Sequence, residues 1–175
     1  MKHIILIGFK HVGKSAIGQK LADELECSHV DLDNLIEQKH CHDTNQSLNC
    51  RQIMNELGAE HFRSLEKQVL ENLLLQEKNE KIISVGGGTP LDEENRRLIS
   101  EHRVVHVVAP RGIVFERIMV NGKPAFFPDN GDDFETFLNI WEERIPVFES
   151  IAETTIENDG SIQNAVDQIK VNLKI

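Results

Sequence analysis

No stretch of this 175-residue sequence is apolar for the ~20 residues that a membrane-spanning helix requires. The apolar run near its start, His3-Ile4-Ile5-Leu6-Ile7, is too short for a secretory leader and gives way at once to a glycine loop. A cytoplasmic protein with no membrane contact is therefore expected. Cysteine is scarce: Cys27, Cys41 and Cys50 make an odd count without the density of a disulfide scaffold. His40-Cys41-His42 with Cys50 matches no structural zinc spacing, so it reads as a polar connection and not a metal centre. Positive charge is in deficit, with 19 Lys and Arg against 29 Asp and Glu, a formal net charge of −10. That balance argues against a general nucleic-acid binder; any phosphate must be gripped locally. Internal repeats, low-complexity tracts and linkers are missing too, so one domain over 1–175 is expected.

What is present centres on Gly8-Phe9-Lys10-His11-Val12-Gly13-Lys14-Ser15, the pattern G-x-x-x-x-G-K-[ST] between a short strand and a helix over Ala16 to Leu25. Gly8 and Gly13 let the backbone bend so that successive N–H groups line a concave anion site. The dipole of the following helix adds positive potential there. Lys14 can reach β/γ-phosphates and the Ser15 hydroxyl can ligate Mg²⁺. A nucleoside triphosphate is the expected ligand.

The remaining chain alternates strands and helices. Ser28 to Asp33 reads as a second strand, Asn34 to about His40 as a helix, and Cys41–Asn49 as a loop. Arg51 through Gln76 carries helical spacing, broken near Gly58. Lys81–Val85 and Arg103–Val108 read as buried strands, with a short helix over Asp92–Ser100 between them. A helix over Arg111–Met119, a polar stretch over Val120–Asp133, a helix from Phe134 to about Glu143, a strand at Thr154–Glu157 and a helix over Ser161–Leu173 complete the chain. This alternation predicts an α/β fold with a parallel sheet.

Asp31 and Asp33 fall at the carboxyl end of the second strand, the edge where open α/β sheets bind ligands. Strand alternation would send both to one face, Asp31 towards a metal's water shell and Asp33 towards a substrate hydroxyl. The competing reading is that one or both cap the next helix. Gly86-Gly87-Gly88 after a buried strand marks backbone that approaches something closely or takes positive φ. Arg63 has Glu66 within reach on one helix face. Arg144 lies just ahead of a helix-limiting proline, Pro146. Arginine suits a carboxylate clamp, although a solvated surface arginine is the default for both.

In this order the phosphate loop, Asp31/Asp33, Phe62-Arg63 with Glu66, the triple glycine and Arg144-Ile145-Pro146-Val147-Phe148 resemble shikimate kinase over nearly the whole chain. The resemblance implies a three-layer α/β/α fold, a P-loop kinase with a five-stranded parallel sheet of order 2-3-1-4-5 and a mobile lid. It places the lid at about 118–132 and a substrate-binding helical part at about 34–65. It implies transfer of the γ-phosphoryl of ATP to the 3-hydroxyl of shikimate, with Mg²⁺ as cofactor and a monomer as the working form. By the same resemblance Gly8, His11, Val12, Gly13, Lys14, Ser15 and Ala16 hold ATP, with Arg117 against adenine and Lys123 from the lid. Asp33 and Lys14 are catalytic, Ser15 and Asp31 hold the metal, and Asp33, Arg63, Gly86, Gly87, Gly88 and Arg144 bind substrate. Two further readings stay open, a gluconate-type kinase and a nucleotide-binding regulatory module without turnover.

The chain also departs from the family. Lys123-Pro124-Ala125-Phe126 puts lysine where the lid usually carries arginine, keeping charge but losing the planar fork. Gly58-Ala59 replaces a usual G-E, Lys10 and His11 replace small loop residues, and Phe148 replaces tyrosine. About six surplus residues between Asp33 and Arg63 are best placed near Cys41–Asn49, where insertions cost little.

Overall fold

The apolar run near the start becomes strand β1 (Ile4–Ile7), with all four side chains fully buried in a computed structural model that describes residues 2–76, 79–122, 127 and 131–175. Each such side chain contributes about 1.5–3 kcal/mol by leaving water, which suits a strand flanked on both edges and both faces. β1 pairs with β3 (Lys81–Ser84) and β4 (Arg103–Val108); β2 (Ser28–Asp31) and β5 (Thr154–Glu157) form the edges. The order is β2-β3-β1-β4-β5 and every neighbouring pair is parallel, as the sequence leads one to expect.

The connecting helices are α1 (Lys14–Glu24), α2 (Leu32–Thr44), α3 (Cys50–Leu57), α4 (Ala59–Gln76), α5 (Glu93–Ser100), α6 (Arg111–Val120), α7 (Asp133–Ile151) and α8 (Ile162–Leu173). Register shows how they sandwich the sheet. Leu6 pairs with Ser84 and Val105, so these three share one face, while Ile7 and His106 share the other. On the first face Gly18 of α1 comes so close to Ser84 that a Cβ there would stand 3.0 Å from its Oγ. On the second, Phe148 of α7 packs 5.3 Å from the His106 ring. The sheet is thus covered on both sides, giving the three α/β/α layers. Among the described residues no helix is long and apolar enough to cross a membrane.

Three expectations need correction. The second strand stops at Asp31 and not at Asp33, because Asp31 caps α2: its Oδ1 accepts the Asp33 N–H at 3.1 Å. Satisfying an orphan helix donor in this way stabilises by about 1 kcal/mol, so helix starts where strand alternation was expected. α2 then runs four residues beyond His40, through Thr44, and only then does Asn45 close it in the left-handed region at φ 56. The loop expected over Cys41–Asn49 shrinks accordingly to residues 45–49.

The third correction concerns α7, which passes through Pro146 to Ile151 when it was expected to end near Glu143. An interior proline costs about 3 kcal/mol. Burial on both sides of it offsets that cost, since Phe137 and Trp141 before it and Phe148 after it are nearly or fully buried. Gly58, at φ 89, divides α3 from α4 as expected, and an Asn49/Gln52 capping box starts α3.

Candidate active site

The phosphate loop leaves β1 at Gly8, whose φ is 138 and whose Cβ, if it had one, would stand 2.3 Å from the Val107 carbonyl oxygen. Only glycine fits both the angle and the space. Gly13 (φ 101) caps α1, and a Cβ there would meet the Asn158 Nδ2 at 2.4 Å. Asn158 donates to the Val12 carbonyl at 2.9 Å, tying the loop to the turn after β5. Between the glycines His11 itself takes a left-handed φ of 64.

Lys14 curls back over this loop and donates to the carbonyls of Gly8 (3.1 Å) and Phe9 (2.8 Å). Burial pulls its pKa down to about 8, with Asp33 and Asp31 opposing the fall. Next to it the Ser15 hydroxyl donates to Asp31 Oδ2 at 2.5 Å. Asp31 therefore has two roles at once: one oxygen caps α2 and the other faces the loop.

Asp33 stands in the first turn of α2, not on the strand, yet this turn delivers it to the same cleft as Lys14 and Ser15. Burial raises its pKa to about 6, helped by the negative charges of Asp31 and Glu66 and resisted by Lys14. It is a carboxylate poised to exchange a proton near neutrality.

The triple glycine serves close approach, since none of the three takes a left-handed φ. A Cβ on Gly86 would stand 3.0 Å from Asp33 Oδ1; on Gly87, 3.1 Å from the Lys10 nitrogen; on Gly88, 2.4 Å from Arg63 Nη2. A 3-10 turn over Thr89–Leu91 follows. Thr89 donates its hydroxyl to Glu66 Oε1 at 2.8 Å, and Arg63 donates to Glu66 Oε2 at 2.6 Å. Glu66 is only 1% exposed, so both of its oxygens are committed to orienting this wall.

Arg144 reaches the same turn from α7, with Nη1 3.5 Å from the Gly87 carbonyl and its Cζ 5.4 Å from the Phe9 ring centroid. Burial, and then the charge of Arg63, lower its pKa to about 10. Arg63 and Arg144 therefore meet at adjacent glycines from two different helices. Arg117 of α6 donates to the His11 carbonyl at 3.1 Å.

These groups enclose one cleft of about 490 Å³. It brings together His11, Gly13, Lys14, Ser15, Ala16, Asp31, Asp33, Arg63, Gly86, Gly87, Gly88, Arg117 and Arg144. Gly8 and Val12 are buried and shape the loop without lining the cleft. Lys123 lies outside the described residues, as do 124–126 and 128–130 of the lid expected at 118–132. Sequence reasoning missed Thr89, Asn158, Arg51, Cys50 and Met54. Thr89 follows the glycines directly and was the most findable; the others carry no local pattern.

The family model for shikimate kinase matches residues 10–174. A shikimate kinase of Francisella tularensis subsp. holarctica is 34% identical over 175 residues, covering 98% of this chain and 94% of that protein. A bifunctional shikimate kinase/3-dehydroquinate synthase of Thermotoga maritima is 30% identical over 81% of this chain, which spans only 26% of that longer protein. Among solved structures, shikimate kinase from Acinetobacter baumannii in complex with shikimate superposes with a TM-score of 0.85 at 24% identity, over 99% of this chain and 94% of that one. The chain belongs to the shikimate kinase family.

Proposed function

We propose that this chain transfers the γ-phosphoryl of ATP to the 3-hydroxyl of shikimate, with Asp33 orienting that hydroxyl and accepting its proton. Family membership makes it an ATP-dependent kinase of a shikimate hydroxyl. The observation that carries the assignment of parts is the position of Asp33: it shares the cleft with Lys14 on one side and packs against Gly86 on the other. A carboxylate held there lies between a phosphate cradle and a pair of arginines.

The loop N–H groups and Lys14 would hold the triphosphate, and Ser15 with Asp31 offers the hard oxygen donors that magnesium prefers, leaving its other positions to phosphate and water oxygens. Bound there, the ion would neutralise charge on the β- and γ-oxygens. Arg63, held by Glu66, and Arg144, beside Gly87, would clamp the substrate carboxylate with planar forks. With the carboxylate pinned, the hydroxyl is presented to Asp33, whose pKa near 6 suits proton acceptance at neutral pH. Most of the rate then comes from positioning, as phosphoryl transfer demands. Arg117 would flank the base of the nucleotide, and Lys123 would close over its phosphates. In this reading the partners are two small molecules and the working form is a cytoplasmic monomer.

The test is ADP release from Mg²⁺-ATP with shikimate, with gluconate and with no acceptor. Release that depends on shikimate supports the proposal. Equal release with gluconate favours the open-chain acid kinase, and ATP binding without release favours a regulatory module.

A further inference from the structure

Lys10 belongs to the phosphate loop but takes no part in the transfer described so far. Its place is set by the backbone. A Cβ on Gly87 would stand 3.1 Å from the Lys10 nitrogen and 3.4 Å from the Gly8 carbonyl oxygen, so the loop and the glycine turn touch here. The neighbouring Gly86 packs on Asp33, whose Oδ1 lies 3.0 Å from where a Cβ would be. Lys10 is thus the loop residue next to the acceptor side of the cleft, which it lines together with Lys14 and Asp33. Its side chain is exposed, and among the described residues its ammonium enters no hydrogen bond or ion pair.

Other cations line the cleft from elsewhere in the fold. Arg63 and Arg144 reach the glycine turn from α4 and α7. Arg117 holds the His11 carbonyl from α6, and Arg51 of α3 lies against Gly122, where a Cβ would stand 2.8 Å from its Nη1. Lys10, by contrast, projects its charge from the loop itself, between the phosphate cradle and Asp33. Burial, and then the charges of Lys10, Lys14 and Arg117, lower the pKa of His11. Behind burial, the Lys10 charge also adds to the fall at Lys14 and resists the rise at Asp33. One ammonium therefore acts at once on the lysine of the cradle and on the carboxylate assigned to the acceptor. Like charges crowded in this way repel until an anion enters among them. A phosphoryl group moving from the cradle to a hydroxyl at Asp33 crosses that interval with charge on three equatorial oxygens. An ammonium is a compact charge on a flexible stem and can follow it.

We propose that Lys10 donates to the γ-phosphoryl oxygens from the acceptor side and keeps that contact once the phosphoryl has passed to the acceptor. The proposal rests on the transfer from ATP to a shikimate hydroxyl put forward above. Lys10 itself undergoes no bond change: the bond broken is Pγ–O to ADP, the bond formed joins Pγ to the acceptor oxygen, and the acceptor proton goes to Asp33.

Lys10 is exposed, so its substitution should leave the fold intact. Titration calorimetry compares wild type, Lys10→Ala and Lys10→Arg with two pairs of ligands. Mg²⁺-AMP-PNP, which keeps a γ-phosphoryl, should bind the alanine variant roughly tenfold more weakly than wild type, as loss of a charge-assisted hydrogen bond implies. Mg²⁺-ADP, which has no γ-phosphoryl, should bind both within about twofold. Shikimate 3-phosphate should likewise lose roughly tenfold, and shikimate itself no more than about twofold. Lys10→Arg keeps the charge and should restore most of both losses. Unchanged affinity for AMP-PNP or for the monoester, a loss shared equally with ADP or with shikimate, or an arginine variant as weak as alanine would overturn the assignment. The nucleotide pair needs no acceptor, so it judges Lys10 even if wild type binds neither shikimate nor its phosphate. That failure would count against the acceptor and not against this residue.

Discussion

The Arg63 guanidinium fills the space that any side chain on Gly88 would need, with Nη2 only 2.4 Å from the position of a Cβ. The other side of the same guanidinium is held by Glu66 at 2.6 Å. Gly88→Ala therefore has to push Arg63 off its partner. If Arg63 is a carboxylate clamp, KM for shikimate should rise at least roughly tenfold, the equivalent of about 1.4 kcal/mol. ATP affinity, measured by titration calorimetry, should stay within twofold. An unchanged KM would remove Arg63 from the substrate site.

Glu66→Ala attacks the same wall from below. It leaves the buried Thr89 hydroxyl without its acceptor and frees Arg63. Removing one member of a buried pair is costly, and since Arg63 is itself partly exposed the expected loss is about 2 kcal/mol of stability. Urea denaturation reads that loss, and KM for shikimate should rise in parallel. Glu66→Gln should recover more of the stability than of the KM.

Asp33 gives a pH dependence with a defined sign. Its pKa is about 6 in the folded protein against 3.8 ordinarily, so the charged form is disfavoured by folding. The stability it contributes is full below pH ~4 and is lost as pH rises through ~6. At pH 7 Asp33→Asn should thus stabilise the ligand-free protein, on the order of 2 kcal/mol, seen as a higher Tm. The same variant should abolish turnover. In wild type, kcat/KM should fall on the acid side of pH ~6 with unit slope. Retained turnover in Asp33→Asn would sink its role as proton acceptor.

Asn158 offers a separable effect. Asn158→Ala removes the donor to the Val12 carbonyl and orphans a buried acceptor, costing about 1 kcal/mol. ATP should bind several-fold more weakly while KM for shikimate is kept, and the ratio of the two separates loop damage from pocket damage.

Local chemistry was readable in the sequence where one residue type alone satisfies the backbone. Gly8 and Gly13, at φ 138 and 101, are such positions, and the alternation of strands and helices gave the parallel sheet with its order once the resemblance was added. Boundaries failed where a side chain competes with the pattern. Asp33 looked like strand until the capping bond from Asp31 is seen, so Asp33 reaches the cleft by a helical turn and not by alternation. Pro146 looked like a stop, and only the burial of Phe148 beyond it shows why the helix continues. Asn158 and Arg51 were illegible for a different reason. Their partners, Val12 and Gly122, lie 146 and 71 residues away, and no local spacing reports such a meeting.

Phosphorus–proton correlation NMR of the acid product formed from Mg²⁺-ATP and shikimate tests the central claim most directly. The account predicts a single phosphate monoester coupled to the proton on C3, with one ADP formed per monoester. A monoester at another carbon, or ADP accompanied only by inorganic phosphate, would contradict it.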